Sequence, residues 1–375
     1  MCVAYGPQDM QRLWRVSREQ CNPIRALILA GITVCIYSCN LNNLLSALTW
    51  SHSRACIELV EYFLRTRSMK FDSSKVSFGR HETFALRYSW LSKGFHALAS
   101  KSAIFESDDA TVELGVGKNM VQAIRFWLRA CRMMNPTTSE TTKLGRLILD
   151  EESGFDPYLE DEATIWLIHW LLTTNPELAT SFYWFFNKFH RPEFTSQELT
   201  TALADFIKDS VIQKRRPSLT TVKNDAQLLH RMYTQSKGNS RMPLEDALDS
   251  PLALLRLISQ TAGGRSYRSK PESRKQLPLG ILGFAVCEVL AARKLTSIPI
   301  EELMYSRNDY PAPGSIFRLT ENDLVAKLEE LSGYIIGGFE IRETAGIHQL
   351  YQLRDVSANE FLAKHYADAL KGVAA

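Results

Sequence analysis

With 375 residues, 45% of them hydrophobic and 10% aromatic, the chain can bury two or three domain cores, which excludes a disordered or low-complexity protein. A net charge of +3 permits nucleic-acid contact without requiring it, so any such surface must come from local clusters. Seven cysteines include no CxxC pair, and His52 does not complete a zinc spacing with Cys35 and Cys39. Neither a structural metal, a cofactor nor a disulfide framework is therefore expected, and a reduced cytoplasmic compartment fits.

Residues 1–68 differ from the rest and hold five of the cysteines. An apolar run at 24–37 follows Arg12, Arg15, Arg18 and Arg25. The basic region is too long for a signal peptide, and no good cleavage site follows. The run is too short to predict a membrane span. Globular patterning begins at Met69, so the reading favoured is an extension from a start codon placed too far upstream, with Met69 as the true start.

"GRHETFALR" brings His81, Glu82, Thr83 and Arg87 together. A zinc protease helix needs a second His four residues after the first, and Ala85 stands there. His81 and Glu82 could serve acid–base chemistry in a cleft. The favoured reading is structural: capping, and pairing with Arg87, at the start of a helix.

"ATVELGVGKNMVQAIRFWL" (110–128) carries Gly115, Gly117 and Lys118. A phosphate loop needs a Gly five residues before Gly-Lys and a hydroxyl after it; here those positions are Val112 and Asn119. A helix-turn-helix fits better. A short helix ends at Gly115, where φ > 0 is permitted, and a second starts near Gly117. Val121, Ile124, Leu128 and Cys131 form its apolar stripe. Lys118, Asn119, Gln122, Arg125 and Arg129 offer side chains that contact phosphates and base edges.

The acidic run 149–162 includes Asp150, Asp156, Glu160, Asp161 and Glu162. Carboxylates can hold magnesium for nuclease chemistry, but no downstream Asp…Glu-x-Lys pattern follows. Acids before the helix "ATIWLIHWLLTTN" also suit its positive end, which is the reading preferred. His169, between Trp166 and Trp170, reads as a satisfied core histidine, and "SFYWFFNKF" as core.

Thr195 and Glu198 form a capping box. Beyond the basic "KRR" at 214–216, a helix at 218–233 buries Leu219, Val222, Ala226, Leu229 and Tyr233. Lys223, Asn224, Gln227 and Arg231 line another of its faces, repeating the arrangement at 118–129. Residues 237–278 read as loop and linker around a short helix, "SPLALLRLIS", and include the basic stretch "GGRSYRSKPESRK". From 280 on, helices, a Thr320-capped helix and two strands around Ala345-Gly346 predict a winged helix, with Arg342 and His348 on the wing. Such wings contact DNA or protein.

"FGRHETFALRYSWLSKGF", "LGVGKNMVQAIRFWLRAC" and "GFDPYLEDEATIWLIHWLL" resemble the signature blocks of the prokaryotic domain-of-unknown-function family 4007. The resemblance covers most of 69–355. It implies a phage-defence setting beside DNA phosphorothioation genes, with a sulfurtransferase resembling phosphoadenosine-phosphosulfate reductases as a partner. It implies no activity.

The expected fold is mainly α, with tandem winged-helix or helix-turn-helix units and small β wings. The expected divisions are a first domain at 69–190, a helical middle region at 191–262, a basic linker at 263–278 and a winged helix at 279–375. The leading function is a DNA-binding accessory component of a phosphorothioation-linked system, its partner double-stranded DNA with or without phosphorothioate. The rival is an adaptor that scaffolds the sulfurtransferase without touching DNA. A third reading, an enzyme using His81, Glu82, Asp156 and Asp161, requires these four groups to share one pocket; with Arg87, the residues His81, Glu82 and Asp156 form a possible functional cluster.

Overall fold

The structure, a computed structural model, describes residues 69–235, 250–344 and 346–373, so the expectations for residues 1–68 lie outside the described residues. One hydrophobic cluster runs from Met69 to Tyr366. No described helix is long and apolar enough to cross a membrane.

The first helices are α1 (Trp90–Ser100), the short α2 (Ala110–Glu113) and α3 (Lys118–Ala130). The turn between α2 and α3 works as its sequence suggests: Gly115 takes φ +58°, and the Leu114 and Val116 amides bond back into the turn of α2. The α3 stripe of Val121, Ile124, Leu128 and Cys131 is buried. Gly94 of α1 lets that stripe approach: a Cβ there would lie 2.5 Å from Ile124 Cγ2. After α3 the chain turns back in a small hairpin, bridged at Met134 and Thr141. The helix α4 (Lys143–Leu149) follows, capped by Thr142.

Next come α5 (Glu162–Thr173) and α6 (Thr180–Asn187). Every residue of α6, and of α5 from Ala163 on, is buried, so these helices are the centre around which the rest packs. The acids before α5 do what the sequence suggests. Asp161 accepts the Ala163 amide, and Asp156 accepts the Glu160 and Asp161 amides and the Thr164 hydroxyl. These carboxylates satisfy donors that the helix itself leaves open.

The middle region contains β1 (Glu193–Phe194), α7 (Ser196–Ser210), α8 (Leu219–Tyr233), β2 (Ser259–Gln260) and β3 (Tyr267–Arg268). Both bonds of the Thr195–Glu198 capping box are present. The strands form an antiparallel sheet in the order β1-β3-β2. The stretch 263–278, read as a linker, is thus part of the fold: it supplies β3 and the buried Arg274. Its glycines do mark a turn, since Gly264 takes φ +68° at the hairpin tip. Two-residue strands are too short to show alternation in a sequence.

The last part contains α9 (Leu279–Arg293), β4 (Ser297–Pro299), α10 (Ile300–Met304), α11 (Pro313–Ile316), α12 (Glu321–Tyr334), β5 (Phe339–Thr344), β6 (Ile347–Gln352) and α13 (Ala358–Val373). The strand order is β4-β6-β5, again antiparallel, and Gly346 turns the hairpin at φ +77°. The protein is thus mainly helical, with small antiparallel sheets.

Candidate nucleic-acid interface

Lys118, Asn119 and Gln122 lie exposed on the first turns of α3. Gly117 before them leaves open space, with nothing within 4 Å of where its Cβ would be. Arg125 and Arg129 are placed differently. Arg125 Nη2 donates to Glu106 Oε1 at 3.0 Å, and its side chain is only 20% exposed. Both guanidinium groups also reach Ser139 Oγ, at 3.5 and 3.2 Å. Burial, with Arg125 beside it, lowers the pKa of Arg129. These two arginines brace α3 to the hairpin behind it, so three of the five stripe residues remain to meet a ligand.

On α8, Lys223, Gln227 and Arg231 are exposed and Asn224 is half-buried. Arg231 Nη2 donates to the Thr83 carbonyl at 2.7 Å, which ties the C-terminal end of this stripe to the 80s loop. Leu219, expected in the buried stripe, is instead 78% exposed at the first turn. Just before it, Lys214 and Arg215 stand exposed on a 3₁₀ turn, Gln213–Arg215. Among the described residues Lys118, Lys214, Arg215, Lys223 and Arg265 have no carboxylate partner. Such cations are free to exchange counterions for phosphates.

The last unit differs in charge. The exposed positions of α12 include Glu321, Glu329 and Glu330, while its Lys327 is buried with Nζ on the Leu277 carbonyl. Arg342, expected on the wing as a DNA contact, is exposed there but donates to Glu340 Oε2 at 2.6 Å and lies over the Tyr351 ring. Glu340 offsets its charge, and a phosphate would have to compete with that pair.

His81 does not pair with Arg87 at a helix start. It is buried, and its Nε2 lies 2.9 Å from Asp225 Oδ1 on α8. The Thr83 amide donates to His81 Nδ1, so the ring proton sits on Nε2 and points at Asp225. Asp225 also accepts the Gly79 amide and the Ser181 hydroxyl. The hollow beside these groups has no room for a water molecule. Glu82 and Thr83 take positive φ, +50° and +65°, in the turn this contact holds. Arg87 stacks over Trp90. Asp156 and Asp161 hold the start of α5, where Asp161 also meets His365 at 3.2 Å. His81 and Asp156 share no hydrogen-bond partner, and an open cleft of about 320 Å³ lined by Tyr88, Glu160, Glu162, Leu254 and Arg256 contains neither. His169 is fully satisfied, between the Tyr233 hydroxyl and the Ile316 carbonyl, and burial holds its pKa down at about 3.

The model of the family "Protein of unknown function (DUF4007)" matches residues 78–366. The chain belongs to the DUF4007 family. No curated protein matches it. Two solved structures are similar, SspB and magnesium ion-bound SspB, each at 31% identity with a TM-score of 0.67. The first match covers 81% of this chain and 90% of that one; the second covers 80% and 90%. Among the described residues of this DUF4007 chain, no three His, Cys, Asp or Glu side chains converge as metal ligands. The DUF4007 match also contains α3 and α8 with their exposed cations, so both stripes belong to the family region.

Proposed function

We propose that this DUF4007 protein is a DNA-binding component of a phosphorothioation-linked prokaryotic defence system, acting in the cytoplasm, and that its repeated units are winged helices. The observation that carries the reading is the pair of cation-tipped helices, α3 and α8, each with a hairpin further along the chain. Among the described residues the middle region runs β1, α7, α8, a 3₁₀ turn (Pro251–Leu255) and the hairpin β2–β3, with the first strand beside the last, β1-β3-β2. The C-terminal region has a like strand arrangement, β4-β6-β5, with three helices, α10, α11 and α12, between β4 and the hairpin. The first region offers α1, α2, α3 and a bridged turn. In a winged helix the helix before the hairpin enters the major groove by its N-terminal residues. Those residues are Lys118, Asn119 and Gln122 on α3, and Thr220 and Lys223 on α8.

The acidic exposed positions of α12 and the Glu340-paired Arg342 favour a second role for the C-terminal unit, contact with protein. Like charge disfavours a phosphate backbone there. On this reading the first two units hold DNA and the third holds a partner, for which the family resemblance suggests the sulfurtransferase. The test is retention of duplex DNA by the full chain, with and without phosphorothioate, across a salt series. Salt-sensitive retention is expected, and a preference for sulfur assigns the protein to a sensing step. No retention at low salt replaces this reading with the adaptor.

A further inference from the structure

Leu219 stands out on α8. Helical periodicity groups it with Val222, Ala226, Leu229 and Tyr233, which are at most 2% exposed, yet it is 78% exposed itself. The cause is the helix start. Ser218 caps α8 by accepting the Thr221 amide, so Leu219 is the first helical residue, after Pro217. Around it in sequence stand Lys214, Arg215, Thr220 and Lys223, all exposed. Residues 211–224 contain no acid, and the next one, Asp225, is buried under His81. The exposed end of α8 therefore offers an aliphatic side chain among unpaired cations and a hydroxyl.

That combination selects its ligand. Unpaired cations fit a polyanion. Leu219 and Ile212, the latter 43% exposed ahead of the 3₁₀ turn, are the exposed aliphatic groups of residues 211–224. Two such groups are too few for the apolar core of a protein interface, and an interfacial membrane helix needs a broad apolar face. In the major groove, thymine alone presents an apolar group, its 5-methyl. We infer that Leu219 reads a thymine methyl in the major groove while Lys214, Arg215 and Lys223 hold the flanking phosphates. This rests on the DNA-binding reading above and adds to it a base preference and the residue that sets it.

The experiment uses the full chain and random-sequence duplexes synthesised with thymine, or with deoxyuridine in its place. Removing one buried methyl weakens binding about fourfold. The wild type is expected to bind the thymine pool that much more tightly. Leu219→Ala is expected to bind the two pools alike, with its salt dependence intact. Leu219→Met, which keeps an aliphatic chain, is expected to restore discrimination. Equal binding of both pools by the wild type overturns the inference alone, as does a thymine preference that survives in Leu219→Ala. Absence of salt-sensitive retention on either pool overturns the DNA reading itself, and this inference with it. Capture by anionic vesicles in place of duplex has the same consequence.

Discussion

At the scale of single residues, the buried histidines separate what a sequence can reveal from what it cannot. His169 sits between two tryptophans on an apolar run, and that local pattern suffices to read it as core. Its neutral state has a pH consequence. His169 and His230 have folded pKa values near 3 and 4, both forced down chiefly by burial, against an ordinary 6.5. Below pH 6.5 the unfolded chain takes up protons that the folded chain refuses. Stability is thus full above 6.5 and falls as pH drops towards 4 and 3, by up to about 1.4 kcal/mol per pH unit for each histidine. Urea midpoints at pH 7 and pH 5 check this, and a midpoint that stays level or rises at pH 5 contradicts it.

His81 is the opposite case. Its partner Asp225 lies 144 residues away, and nothing local to either residue announces the contact. Asp225→Ala leaves the His81 Nε2–H, the Gly79 amide and the Ser181 hydroxyl without their acceptor. A loss of about 3 kcal/mol is expected, with a smaller loss for Asp225→Asn, which keeps one carbonyl oxygen. Denaturant unfolding measures both. A loss below about 1 kcal/mol in the alanine variant speaks against a structural knot at this site.

At the scale of elements, helix periodicity and turn chemistry made α3, α8, the Gly115 turn and the Gly346 hairpin legible. Periodicity failed at helix ends, where capping decides whether a side chain on the apolar stripe is covered; Leu219 is the example. Charge stripes failed in a different way, because a sequence does not show which cations have found carboxylates. Arg125 and Arg342 have, through Glu106 and Glu340. Close packing gives the prediction at this scale. A Cβ on Gly283 would lie 2.2 Å from the Phe361 ring, so α9 and α13 meet at a glycine. Gly283→Ala is expected to destabilise the C-terminal unit by about 1–3 kcal/mol, through displacement of α13. Hydrogen exchange on α13 reads this locally, and unchanged protection contradicts it.

At the scale of the molecule, the helices packed around the buried pair α5 and α6 differ in surface charge. Unpaired lysines, Lys118 and Lys223, stand exposed in the first two turns of α3 and α8, whereas the exposed positions of α12 include Glu321, Glu329 and Glu330. The division of labour proposed above follows from this difference, and the salt dependence of duplex binding tests it most directly. The slope of log K against log salt falls by about 0.9 for each phosphate contact removed. The account predicts steep salt dependence for the wild type, a slope flatter by nearly two for Lys118→Ala combined with Lys223→Ala, and no change for Arg342→Ala. No duplex binding at low salt, or a double variant with the wild-type slope, would contradict it.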